Sequence, residues 1–258
     1  MKPLVLSLLA MLSLSEQVYA RAQSTDEKDL IATTTPECVI LLHGLARTSK
    51  SMLTLDEHLR AHHYLVVNVD YPSRKFPIVT LAEKAIAPAL AKCRQNAISG
   101  IHFVTHSLGG ILVRQYLNQQ KIPELKRVVM LAPPNKGSQV VDKFKKLPPF
   151  GWLNGPAGKE LGTDPQSKPN QLGPADFDVG VIAGTTSVNH LLSLYLPNPD
   201  DGKVSLENTK VEGMRDFISL PVSHPYIMKN EAAIAQTLHY LQYGQFLRPP
   251  ENNDRQKP

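Results

Sequence analysis

The sequence predicts an α/β fold: a mostly parallel, doubly wound sheet with helices on both faces. Three observations lead there. Short apolar runs recur along the chain and barely alternate with polar residues, as strands covered on both faces do. Helical patterns fall between those runs, and such strand–helix alternation belongs to parallel sheets. The length, 258 residues, suits one large domain with a sizeable core.

Taken in order, the strand candidates are CVILLH at 38–43, YLVVNVD at 64–70, IHFVTH at 101–106, RVVMLA at 127–132, DVGVIAG at 178–184 and FISLPV at 217–222. Helical patterns lie near 50–62, 77–96, 109–120 and 226–243. In the last of these, Ile227, Ile234, Leu238 and Leu241 recur at helical spacing. Residues 37–247 are thus expected to form the domain. Residues 147–174 break the alternation, with six prolines and five glycines in 28 positions. So much punctuation argues against a long regular element there. The segment carries the only tryptophan, Trp152, near Phe150. It reads either as a flap over an apolar site or as an inert surface excursion.

The chain ends differ in kind from the middle. Met1 and Lys2 precede the apolar run PLVLSLLAMLSLS, and Val18-Tyr19-Ala20 offers a cut site after about Ala20. That is the layout of a secretory signal peptide over 1–20. The run falls short of the roughly 18–20 apolar residues of a membrane span, so export to the periplasm or beyond is expected. Residues 21–36 are polar and aperiodic, a tether or first cover strand, and 248–258 read as a disordered tail. Removing 1–20 takes away Lys2 and Glu16, one charge of each sign, and leaves the net charge at +5. The basic residues are scattered, which excludes a nucleic-acid track. Two cysteines, Cys38 and Cys93, could pair in an oxidising compartment or remain buried thiols.

The chemistry gathers around Ser107. The strand candidate IHFVTH, then Thr105-His106-Ser107-Leu108-Gly109, then the helical pattern ILVRQYLNQQ provide the context of a G-x-S-x-G nucleophile elbow. A serine on that sharp turn stands clear of the sheet, and the following N–H groups open a helix N-terminus toward the reacting oxygen. Gly109 supplies the room. Thr105 stands where glycine is usual and makes the turn tighter. After the first strand comes His43-Gly44-Leu45. The Leu45 N–H there is placed to meet the Leu108 N–H as a second oxyanion donor, with His43 holding the loop. Both points lie past the C-terminal ends of strands, where open α/β sheets bind ligands.

LLHGL, HSLGG, the Asp-Gly-Lys-Val segment at 201–204 and Ser223-His224 together resemble the bacterial lipase/esterase branch of the α/β-hydrolase superfamily. The likeness spans Cys38 to about Phe246. It implies a serine hydrolase of carboxylic esters, with lipid or short acyl esters as substrates. It also implies oxyanion donors at Leu45 and Leu108, and a serine, acid, histidine order along the chain. Of the histidines after Ser107, His224 follows a strand directly, whereas His190 sits in a loop and His239 within the last helical pattern. Asp200, Asp201 and Glu207 remain as acids. The resemblance selects Asp201, immediately before glycine, with Asp200 as the alternative.

The same residues would serve an acyltransferase, and a non-catalytic lipid-binding or interaction module is the third reading. A complete set of triad candidates speaks against that module. Neither a metal nor a cofactor is expected, since no H-E-x-x-H or C-x-x-C spacing occurs. A monomer making transient contact with a lipid surface is expected.

Overall fold

The computed structural model describes residues 35–188 and 190–248. Its sheet has six strands: β1 (Glu37–Leu42), β2 (Leu65–Val69), β3 (Gly100–His106), β4 (Leu125–Leu131), β5 (Val179–Gly184) and β6 (Asp216–Leu220). All pairings are parallel, in the order β2-β1-β3-β4-β5-β6. Each expected strand is present to within a few residues at either end. The intervening helices are α1 (Leu53–Ala61), α2 (Ile78–Arg94), α3 (Leu108–Gln119), α4 (Gln139–Phe144), α5 (Pro148–Lys159), α6 (Lys168–Gln171), α7 (His190–Ser193), α8 (Leu206–Thr209) and α9 (Glu231–Tyr243).

Strand β1 shows why the apolar runs are continuous. Its side chains point alternately to the two faces. Cys38, Ile40 and Leu42 pack among Leu81, Ile86 and Ile111 of α2 and α3. Val39 and Leu41 pack among Leu55, Ile234 and Leu241 of α1 and α9. Both faces are dry, so neither can be polar. The strand order reverses at β1, which has β2 on one side and β3 on the other. Helices from the two halves diverge there, leaving a crevice beyond the strand C-termini.

Two expectations need amending, and a third gains detail. Residues 147–174, read as a flap or a surface excursion without a long regular element, contain α5, which is two short helical pieces on either side of a break. Pro148 and Pro149 sit in its first turn, where no N–H partner is required. Gly155, at φ 66°, then breaks the helix, and Pro156 starts its second half. The punctuation makes two short helical pieces in place of a loop. The helical pattern at 226–243 likewise divides: a 3₁₀ turn at Ile227–Lys229 precedes α9, whose N-cap is Asn230 accepting from the Ala233 N–H at 3.0 Å. Arg248, assigned to the tail, pairs with Asp216. The signal peptide, most of the polar segment and the rest of the tail lie outside the described residues. Among the described residues, no helix is long and apolar enough to cross a membrane.

Cys38 and Cys93 are joined as a disulfide between β1 and α2, closing 55 residues of sequence separation. By the loop-entropy account, a loop of that size stabilises the fold by about 4 kcal/mol. The Cys38→Ala/Cys93→Ala protein should therefore unfold at markedly lower denaturant, with an m-value at least as large, because the freed unfolded chain exposes more surface. An unchanged midpoint would show that the bridge contributes nothing.

Candidate active site

Four segments converge at the C-terminal edge of the sheet. The first is the elbow after β3. Ser107 has φ 52° and ψ −118°, a conformation that side chains other than glycine rarely adopt. It is held there from both sides: its N–H donates to Leu131 O at 2.9 Å, and its carbonyl accepts from the Gly110 N–H at 3.0 Å. A Cβ on Gly109 would lie 2.6 Å from Leu42 O, so α3 can approach β1 this closely only with glycine there. Thr105 is fully buried beneath the turn. Its space is supplied by Gly110, whose Cβ, if present, would stand 3.3 Å from Thr105 Oγ1.

His224 follows β6 and Asp201 follows β5. His224 Nε2 lies 3.0 Å from Ser107 Oγ, and His224 Nδ1 lies 2.7 Å from Asp201 Oδ2. A carboxylate can only accept, so Nδ1 carries the ring proton and Nε2 is left to accept from the serine hydroxyl. Asp201 is completely buried. Its Oδ1 accepts from the backbone N–H groups of Lys203 (2.9 Å) and Val204 (2.8 Å). Asp200 points elsewhere: its carboxylate accepts from the Gly202 N–H at 2.7 Å and from the Ser193 hydroxyl. Gly202, at φ 94°, turns the chain directly after the two aspartates. Geometry thus brings Ser107, His224 and Asp201 together and leaves Asp200 shaping the loop. His239 is on α9, bonded to Gln245 O at 2.8 Å, well removed from this line.

His106 plays a part that motif reading did not single out. It is buried, and its Nε2–H donates to the His224 carbonyl at 3.0 Å. The His224 N–H in turn donates to Asp201 O at 3.0 Å. Two hydrogen bonds of the His224 backbone, one from the His106 side chain and one to the Asp201 carbonyl, therefore fix the histidine loop over the serine. Burial, followed by the nearby His224, holds the His106 imidazole well below its ordinary pKa, so it stays neutral. The signal lay in the motif itself, as the residue just before the serine.

On the other side, His43-Gly44-Leu45 leaves β1. His43 is buried, with Nδ1 bonded to Gly44 O at 2.8 Å, Nε2 accepting from the Tyr71 N–H at 3.3 Å, and its ring stacked on Tyr71 at 4.0 Å. It holds the loop. A Cβ on Gly44 would meet His106 Nδ1 at 2.7 Å and Ser107 Cβ at 3.2 Å, so this loop lies directly against the elbow. Among the described residues, neither the Leu45 nor the Leu108 N–H has a backbone acceptor.

The site opens into a cavity of about 240 Å³, lined by Ser107 and His224 and by apolar groups including Leu45, Val141, Phe150 and Leu161. Phe150, Asn154 and Leu161 are the residues of 147–174 that face it. Trp152 is 84% exposed and lines a separate outer cleft instead.

Residues 39–235 match the model of a family described as the alpha/beta hydrolase family. The chain belongs to that family. No curated protein sequence matches it. The structure of this hydrolase-family chain is similar to a lipase from Bacillus licheniformis in its mature form. That pair has 17% identity and a TM-score of 0.63, covering 82% of this chain and 93% of the lipase. It is also similar to a metagenomic carboxyl esterase, with 16% identity, 76% and 66% coverage and a TM-score of 0.54. Phospholipase PlaB from Legionella pneumophila shares 18% identity and a TM-score of 0.54, over 67% of this chain and 45% of that one. Identities this low establish the shared α/β-hydrolase fold.

Proposed function

We propose that this protein is an exported serine hydrolase of carboxylic esters, with Ser107 as nucleophile, His224 as general base and acid, and Asp201 as the carboxylate that orients it. The observation that carries the reading is the unbroken line Ser107–His224–Asp201, ending at an apolar cavity. His224 Nε2 takes the hydroxyl proton as Ser107 Oγ attacks the ester carbonyl. The carbonyl oxygen, now negative, accepts from the N–H groups of Leu108 and Leu45. Collapse of the tetrahedral intermediate breaks the bond to the alcohol, which leaves with the proton from His224. Water, deprotonated by His224, then releases the acid and restores the serine. Asp201 stabilises the imidazolium throughout. Export is inferred from the basic start and apolar run before Ala20.

The cavity favours an acyl chain over a bare acetyl group, because its walls at Leu45, Val141, Phe150 and Leu161 are apolar. Across p-nitrophenyl esters of rising length, kcat/KM should climb from acetate as the chain fills the cavity and then level. An optimum at acetate would contradict the cavity assignment. No hydrolysis of any member would remove the ester reading altogether.

A further inference from the structure

The cavity beside Ser107 is apolar along its walls and basic at its mouth. Arg47 and Lys203 both line it. Arg47 also lines the adjoining outer cleft, of about 690 Å³, together with Arg74, Lys75, Trp152 and Leu153. Among the described residues, none of these four cations takes part in an ion pair, as is true of about half of the other lysines and arginines; what distinguishes them is their place around one opening. The Asp201 charge attracts the Lys203 ammonium, but both Asp201 oxygens are occupied by His224 and two backbone amides. Asp70 lines the outer cleft, is largely exposed, and accepts from the Ser49 N–H at 3.1 Å.

We propose that Arg47 and Lys203 select esters whose alcohol portion carries an anionic group, a carboxylate or a phosphate. The inference rests on the ester-hydrolase reading above and deepens it. With the acyl chain in the 240 Å³ cavity, the alcohol side must leave through the mouth, past Arg47 and into the outer cleft. A negative group there meets two cations, with Arg74 and Lys75 beyond. Arg47 presents a planar fork suited to a carboxylate or phosphate, and Lys203 a point charge. The cations also act on each other. Crowding around the ammonium, and then the charge of Arg47, push Lys203 below its ordinary pKa, although its side chain still reaches solvent. An incoming anion relieves that repulsion, whereas a neutral alcohol leaves it in place.

The test uses the full exported chain and three butyrate esters of one phenol skeleton: 4-carbamoylphenyl, 4-carboxyphenyl and 4-phosphonooxyphenyl. For each protein the kcat/KM ratio of charged to neutral ester is measured. Comparing that ratio between proteins cancels the chemistry of the leaving groups. Arg47→Gln and Lys203→Gln should each lower it by about threefold, and the double variant by about tenfold, the scale of exposed charge pairs. Added salt should bring the wild-type ratio down toward that of the double variant. The charged ester whose ratio falls more identifies the anion as carboxylate or phosphate. Ratios that are the same in wild type and double variant would overturn the selection of anions while leaving ester hydrolysis standing. Absence of turnover on all three esters would overturn the hydrolase reading and this inference with it.

Discussion

Replacing Ser107 by alanine is expected to lower kcat on the best ester by about 10⁴–10⁶-fold, and replacing it by glycine should do the same. Either change removes the hydroxyl oxygen placed 3.0 Å from His224 Nε2, the atom that would form the acyl bond. What remains is substrate binding and the two amides, worth a residual acceleration over water. The two variants should differ in stability. A side chain at φ 52° and ψ −118° carries strain of about 1–3 kcal/mol, which alanine keeps and glycine releases. Part of that gain is offset by the extra freedom of glycine in the unfolded chain, about 0.5–1 kcal/mol. The glycine variant should therefore melt above the alanine variant, with a difference of about 1 kcal/mol. Alanine retaining a tenth of wild-type activity would remove Ser107 from the chemistry. Equal melting temperatures would mean that the elbow stores no strain.

How far the site could be read in the sequence follows from what fixes each part. The strands were legible because two dry faces forbid polar residues: β1 could not be written otherwise and still pack Ile40 on one side and Leu41 on the other. The elbow was legible for a steric reason, since Gly109 is the only residue that lets α3 lie against Leu42 O. Helix α5 was obscured because prolines at its first turn and at its restart, with Gly155 between them, look like loop residues when counted. The choice between Asp200 and Asp201 was beyond local reading. Two adjacent aspartates are equivalent in composition and differ only in the partners the folded chain brings to each, His224 to Asp201 and the Gly202 N–H and Ser193 hydroxyl to Asp200. The basic mouth was hidden for a related reason. Arg47 and Lys203 are far apart in sequence and look like two members of a scattered surface charge until the fold brings them to one opening.

That same pair of aspartates yields the second large effect. Asp201→Asn should reduce kcat by about 10⁴-fold, and the reason lies in how Oδ1 is held. Two backbone N–H groups, from Lys203 and Val204, point at Oδ1, so an asparagine there must turn its carbonyl oxygen to them. Its NH₂ group then faces His224 Nδ1 in the place of Oδ2. That nitrogen can only accept from an NH₂, which moves the ring proton to Nε2. The histidine then presents an N–H to Ser107 and can no longer take its proton. The fold itself should be little affected, because the backbone bonds are kept. Asp200→Ala should do the opposite. It removes the acceptor for the Gly202 N–H and the Ser193 hydroxyl in a buried turn, which costs about 1–3 kcal/mol of stability. It leaves the tautomer of His224 unchanged, so kcat should stay within about tenfold of wild type. Denaturant midpoints and kcat measured on both variants separate the two roles, since each substitution should move one quantity and spare the other. If Asp200→Ala lowered kcat more than Asp201→Asn, the orienting carboxylate would have to be reassigned and the tautomer argument would fall with it.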